Sequence, residues 1–423
     1  MKNQLRSLFI LLLLATSFLL PAQKNISFEK IIIDKTYVSS AITTADIDRD
    51  GLQDIIAGDV WYKAPDWERH EIRPLGAYYG TLVDPTRPVG SGARYYARSI
   101  GNYTKDVDGD GWLDVLTFNS QGAPCYWYRN PQKNYDQLWQ EYLAIELFHN
   151  ESPQMLDIFG DGEPVVLAGN HIGDGKYTLS WFTPASDPTQ LWQPHVIGHP
   201  DDFHYSITFR NTSHFAPGGY GHGLGAGDIN GDGRQDIITA QGWYEGPENG
   251  RTMENWTFHQ VPFDTMANPE KIHLLFAQMF AADFDGDGDN DIIGGAAHAY
   301  GLWWFEQVQK NGEIAFTPHE ISMDMSQLHA MNAVDLDGDG RSEFVTGKRY
   351  LAHLGRDPGS SDPAVVAYVS NQIDDAGHVK MTTHLIDDDS GSGTQIWITD
   401  LNRDGKPDVL TSNKKGTHLF LQK

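Results

Sequence analysis

Apolar and polar residues alternate along short stretches of this chain, and the stretches recur. Runs rich in aromatic and β-branched residues fall at 28–33, 67–72, 139–145, 192–197, 256–261, 316–321 and 381–386. Each alternates with a period of two, the mark of a half-buried strand. Between them comes an acidic, glycine-bearing turn. Another strand follows it, as at 54–57, 236–239 and 291–293, and then a third carrying aromatic residues, as at Trp243-Tyr244 and 303–305. Four short strands per unit and seven units predict an all-β fold, a seven-bladed β-propeller over 24–423. The run at 28–33 precedes any acidic turn, and the last unit, 416–421, ends early. The N-terminal strand is therefore expected to complete the last blade and close the ring, which removes free edges.

The acidic turn places oxygen-bearing side chains at positions 1, 3, 5 and 9. The copies are Asp46, Asp48, Asp50 and Asp54; Asp106, Asp108, Asp110 and Asp114; Asp228, Asn230, Asp232 and Asp236; Asp283, Asp285, Asp287 and Asp291; Asp335, Asp337, Asp339 and Glu343; and Asp400, Asn402, Asp404 and Asp408. A degenerate copy keeps Asp157 and Asp161 but has Phe159 and Val165 at the other two positions. The spacing is that of the first half of an EF-hand loop, where alternate oxygens converge on a hard cation and glycine turns the chain back. Six structural calcium sites are expected, with the degenerate turn weak or empty. The stretch Asp-Ile-Asn-Gly-Asp-Gly-Arg-Gln-Asp-Ile-Ile at 228–238 and its partners resemble FG-GAP/VCBS repeats. That resemblance implies an integrin-like propeller with calcium in its blades. It says little of function, because this fold serves adhesion, binding and catalysis alike.

Composition narrows the setting. Residues 1–22 read as an export signal: Lys2 and Arg6, an apolar run from Leu8 to Leu20, then Pro21-Ala22. The run is short for a membrane span, so a soluble periplasmic or secreted protein without membrane insertion is expected. Cys125 is the sole cysteine, which rules out an intramolecular disulfide. The formal net charge is −26, and removal of Lys2 and Arg6 takes it to about −28. Such acidity argues against nucleic acid and anionic membranes as partners.

Candidate chemistry lies where residues break the repeat. His70, His195, His259, His319 and His384 share one place in it and read as architectural. His222 and His329 stand six residues before Asp228 and Asp335, and His298 stands seven after Asp291. Tyr350 holds the matching place after Glu343, with Lys348, Arg349 and His353 beside it; Trp61, His171 and Trp243 lie near the same register. Strands joined by an acidic turn begin and end at the opposite face. These residues should therefore gather at one mouth of the central channel, away from the acidic turns. Two further groups approach that face: Arg94-Tyr95-Tyr96-Ala97-Arg98 and His149-Asn150-Glu151-Ser152. Lysine and arginine favour a carboxylate or sulfate, and aromatic rings favour sugar faces. Histidine or tyrosine can move a proton, and several histidines could instead hold zinc or a similar divalent ion.

The stretches around His222, around His298 with Trp304 and Glu306, and from Gly347 through Asp357-Pro358 resemble the propeller part of aldos-2-ulose (1,5-anhydrofructose) dehydratases. They are similar also to the ulvan-oligosaccharide dehydratases of marine Bacteroidetes. The resemblance implies elimination of water from a sugar, on the His/Lys/Arg/Tyr positions of the mouth. The expected activity is removal of water from the non-reducing-end uronic acid of an acidic oligosaccharide. His222 or His329 would act as base and Tyr350 or His298 as acid. Lys348, Arg349, His353, Arg94, Arg98 and Trp243 would hold the substrate. A non-catalytic glycan-binding propeller and a polysaccharide lyase are the alternatives.

Overall fold

The computed structural model describes residues 26–76, 96–120, 122–173, 176–198, 222–252, 256–267, 276–374 and 378–423. Residues 1–22, the expected export signal, and Arg94 lie outside the described residues, and so does the side chain of His353. Strand accounts for 51% of the described residues and helix for 3%, so the fold is all-β, as the period-two pattern predicts.

The strands pair antiparallel in quartets that follow chain order. Thr43–Ala45, Asp54–Ala57, Val60–Lys63 and Glu68–Glu71 make one, and Ala330–Val334, Glu343–Gly347, Val366–Ile373 and Val379–Asp387 another. Gly101–Lys105, Asp114–Phe118, Ala123–Arg129 and Gln140–Phe148 continue, through the bridge of Phe148 to Asn170, into the sheet of Gln154–Leu156, Val165–Gly173, Lys176–Thr183 and Gln193–Val196. Leu224–Gly227, Asp236–Thr239, Gly242–Tyr244 and Phe258–Gln260 join Phe276–Ala282, Asp291–Ala296, Tyr300–Lys310 and Glu313–Ser326. The junction is a parallel pairing of Leu224 to Ala226 with Gln278 to Phe280. Ile396–Thr399, Asp408–Asn413 and Gly416–Gln422 take Phe28–Asp34 as their fourth strand, with Phe28 opposite Gln422.

Glutamine side chains stitch the first strands of neighbouring quartets. Gln154 Nε2 donates to the Leu224 carbonyl at 2.7 Å, and Gln278 Oε1 accepts the Met331 N–H at 2.8 Å. Gln395 Oε1 accepts from Asn102 N at 3.0 Å and Ile42 N at 3.3 Å, while its Nε2 donates to the Asn102 carbonyl. Each buried amide satisfies main-chain groups that a first strand leaves unpaired on its inner side.

The repeated histidines are architectural. His70, His195, His259, His319 and His384 stand directly across from Trp61, Trp181, Trp243, Trp304 and Tyr368 on the preceding strand. Each stacks on its partner with ring centroids 3.8 to 4.6 Å apart. Trp243 therefore presents its face to His259 and is only 3% exposed. It packs into an apolar cluster with Phe263 and Phe305.

The acidic turns share one geometry. The first carboxylate accepts the N–H of the glycine five residues on, as Asp46 does from Gly51 (3.0 Å) and Asp106 from Gly111 (2.9 Å). The ninth residue is enclosed, and its oxygens accept main-chain N–H groups. Asp54 takes Ile47 and Ala64, Asp114 takes Val107 and Asn130, and Asp236 takes Ile229 and Gly246. Asp291 takes Phe284 and Gln307, Asp408 takes Leu401 and Gln422, and Glu343 takes Leu336. Burial pushes Asp114 and Asp291 up to about 7 despite these bonds. Alanine at Asp236 orphans two buried N–H groups and should cost roughly 2–5 kcal/mol. A urea melt with chelator present isolates this effect from ion binding; a loss below about 0.5 kcal/mol would show that the two bonds contribute little. In the degenerate turn Arg251 brings a positive charge against Asp161. Its guanidinium meets both oxygens of Asp161 (2.7 and 2.9 Å), donates to the Glu163 carbonyl and lies over the Phe159 ring.

Candidate metal centre

His222, His298 and His329 converge although they come from three different turns. His222 immediately precedes the strand Leu224–Gly227, where Gly223 (φ +80°) swings the chain; a Cβ there would meet Ala240 N at 2.6 Å. His298 follows Asp291–Ala296, and His329 immediately precedes Ala330–Val334. Gln327 sits in the left-handed region (φ 59°) beside it. The Gln327 carbonyl accepts the N–H of Arg349 (3.1 Å), the N–H of His329 (3.0 Å) and His329 Nδ1 (3.2 Å). A non-glycine residue held in that region at a cluster of polar side chains is the kind of strain that functional sites retain.

Glu151 completes the group. It lies between the strands Gln140–Phe148 and Gln154–Leu156. Asn150 Oδ1 accepts the Ser152 N–H, and His149 N donates to the Gly169 carbonyl at 2.9 Å. Position 169 admits only glycine for this approach, since a Cβ would stand 2.4 Å from the His149 carbonyl oxygen. Glu151 Oε2 then lies 3.0 Å from Arg349 Nη1, 3.4 Å from His329 Nε2 and 3.5 Å from His222 Nε2. His222 Nε2 and His298 Nε2 are 2.8 Å apart. One donor atom from each of Glu151, His222, His298 and His329 falls within 4.8 Å of all the others.

The tautomers suit metal binding. His298 Nδ1 lies 2.9 Å from Asp357 Oδ2 and His329 Nδ1 faces a carbonyl. Both partners accept, so each Nδ1 carries the proton and each Nε2 turns a lone pair inward. Burial, and then Arg349, push His329 down to about 3, which keeps the ring neutral. Its Nε2 is enclosed and has no hydrogen-bond partner among the described residues. Burial alone would raise Glu151, but Arg349 and the nearby imidazoles hold it well below the usual carboxylate range. Three imidazoles and one carboxylate fit a borderline-soft divalent ion better than calcium, which prefers oxygen.

Other expected site residues fall around this group rather than in it. Lys348 is 1% exposed, and its Nζ donates to the Ser360 carbonyl at 3.3 Å. Tyr350 lies beneath Lys415 Nζ, 4.8 Å from its ring centre. Arg98 pairs with Asp59 (3.3 Å) and with the Pro74 carbonyl, next to the Arg73–Asp59 pair. The register rule found the three histidines. It passed over Glu151 as a ligand because a linking segment, not a strand end, carries it. It also passed over Lys414, six residues after Asp408, which the same rule could have caught.

The family model for the FG-GAP-like repeat matches residues 283–346, and that for the FG-GAP repeat matches 220–252. These two segments are therefore similar to FG-GAP repeats. Both matched segments span an acidic turn together with the strands beside it, and the repeats build a β-propeller. No curated protein matches the chain. Two solved structures share a distant likeness. One concerns specific recognition of non-reducing terminal N-acetylglucosamine by an Agrocybe aegerita lectin: 16% identity, 94% of this chain and 86% of that one, TM-score 0.40. The other is an auxiliary nutrient binding protein from Bacteroides ovatus: 10% identity, 94% of this chain and 78% of that one, TM-score 0.43. Among the described residues no helix is long and apolar enough to cross a membrane.

Proposed function

We propose that this chain is an exported, seven-bladed propeller that eliminates water from an acidic sugar. The substrate in this reading is the non-reducing-end uronic acid of an ulvan-type oligosaccharide, and the product is an unsaturated uronate. Calcium would fill the six acidic turns, with Arg251 standing in at the degenerate one. A zinc or similar divalent ion would be held at the channel mouth by Glu151, His222, His298 and His329. The observation that carries the reading is the convergence of those four donors within 4.8 Å, with Arg349 bonded to Glu151.

The reaction breaks the C5–H and C4–O bonds and forms the C4=C5 double bond. The C4 hydroxyl leaves as water with one added proton. The C5 proton is α to the carboxylate, so negative charge gathers on the carboxylate oxygens as it leaves. A bound divalent ion would supply Lewis-acid polarisation of that carboxylate. Arg349 adds positive charge fixed in place by Glu151, which needs no reorganisation during the step. His329 turns its Nε2 toward Glu151 inside the cluster, so this reading moves it from base to ligand. An imidazole that gives Nε2 to an ion cannot take a proton there, and the same holds for His222 and His298. Proton transfer then falls to groups around the cluster.

Incubating the protein with a uronic-acid-terminated oligosaccharide and weighing the products tests this. Loss of one water per non-reducing end, with new ultraviolet absorbance from the conjugated acid, is the expected result. Shortened chains would indicate a lyase, and unchanged ligand mass a binding protein.

A further inference from the structure

Among the described residues two buried cations share the Tyr96 ring, Arg349 and Lys414, and only Arg349 is paired with an acid. The strands Asp408–Asn413 and Gly416–Gln422 are joined by a turn that Asn413 pins. Its Nδ2 donates to the carbonyls of Ser390 and Gly391 (both 2.9 Å), and its Oδ1 accepts Lys415 N. The turn sends Lys415 outward to Asp389 and Lys414 inward. Lys414 is 3% exposed; its Nζ donates to the Leu351 carbonyl at 2.6 Å and sits 4.5 Å from the Tyr96 ring centre. Leu351 is itself in the left-handed region (φ 49°), which turns that carbonyl toward the amine. Arg349 Cζ lies 5.5 Å from the same ring centre. The acid next to Arg349 is Glu151, and Arg349 is already bonded to it. Among the described residues no carboxylate comes within ion-pair reach of Lys414.

A buried, unpaired cation is costly, and a protein keeps one where a ligand supplies the counter-charge. We propose that Lys414, beside the Tyr96 ring and within the field of Arg349, is the residue that recognises the carboxylate of an acidic sugar. This rests on the reading of the mouth as a sugar site and deepens it. Lys348 and Arg349 were the expected carboxylate binders; Arg349 is bonded to Glu151, and Lys348 donates to the Ser360 carbonyl within the field of Asp362, while Lys414 has a carbonyl and the Tyr96 ring that it shares with Arg349. Burial, with Arg349 adding to it, lowers the Lys414 amine to about 7. The charged groups facing it are Arg349, with Glu151 behind, and the phenol of Tyr96; Lys415 points away. A uronic acid stays ionised above about pH 4. Carboxylate binding should therefore be strongest just below pH 7 and weaken above it, as Lys414 loses its proton.

Calorimetric titration with sodium D-glucuronate and with D-glucose, on the wild type, Lys414→Met and Lys414→Arg, tests this without requiring turnover. At pH 6 the wild type should favour glucuronate at least tenfold, and the preference should shrink at pH 8.5. Lys414→Met should lose that preference while its affinity for glucose and its bound divalent ion stay unchanged. Lys414→Arg should keep the preference at both pH values, because arginine does not deprotonate; this arm decides if the methionine variant does not fold. A methionine variant that still favours glucuronate overturns the proposal, as does a wild type with no preference or no binding. Loss of dehydration with the preference intact would overturn only the enzymatic reading.

Discussion

Alanine at His298 should leave the protein folded but unable to retain a divalent ion through dialysis, and should abolish the ultraviolet-absorbing product. The ring supplies Nε2 to the cluster and gains its orientation from Asp357. Removing it deletes one of four donors and opens a site that three cannot close. Alanine at Asp357 is the informative companion. It touches no ion in this reading, yet it fixes the His298 tautomer, so affinity should fall about 10–100-fold rather than vanish. Elemental analysis after dialysis, followed by titration of the apoprotein with zinc, separates the two outcomes. Equal and full retention in both variants would remove the metal centre. Full loss in both would mean that Asp357 is itself a ligand.

Chelation should lower the thermal midpoint by at least about 10 °C. In four turns three carboxylates bring oxygens within 4.8 Å of one another: Asp46, Asp48 and Asp50; Asp106, Asp108 and Asp114; Asp283, Asp285 and Asp287; Asp335, Asp337 and Asp339. Like charges at that spacing repel, and the chain as a whole carries −26. An ion at a thousand times its dissociation constant adds about 4 kcal/mol per site, and the sites add. Protein cations offset part of the repulsion: Lys63 on Asp48, Arg129 on Asp108, Arg234 on Asp232 and Arg341 on Asp339. Added salt should therefore recover a fraction of the lost stability by screening the remainder. A midpoint unmoved by chelator, together with elemental analysis that finds no calcium, would refute the assignment of these turns.

The fold was legible because a repeat states its pattern many times over. Each expected aromatic run overlaps an observed strand, from 28–33 in Phe28–Asp34 to 381–386 in Val379–Asp387. Lengths were less legible. Tyr300–Lys310 and Glu313–Ser326 extend well beyond the alternating core at 316–321, because hairpin pairing continues where burial no longer dictates residue type. The three histidines could be placed from register alone, since a strand fixes the distance between its two ends. Glu151 could not, because no period governs a linking segment. Trp243 misled for the opposite reason: its register pointed to the mouth, but its side chain is committed to the cross-strand stack with His259. Arg98 is held elsewhere by Asp59, a long-range ion pair that no local pattern announces.

The last quartet draws its outer strand from the start of the chain, with Phe28 opposite Gln422 and Ile31 opposite Leu419. A ribosome delivers these partners far apart in time, because most of the described chain lies between them. Earlier quartets can assemble from neighbouring segments as they emerge, but this one must wait for Gly416–Gln422. Until then the strand Gly416–Gln422 has no partner on its outer side, and Phe28–Asp34 has no sheet to join. Contacts between such distant segments form slowly because the intervening chain must be confined first. Pairing of these two strands is thus expected late in folding, and the interval before it is when a second copy could lend the missing strand.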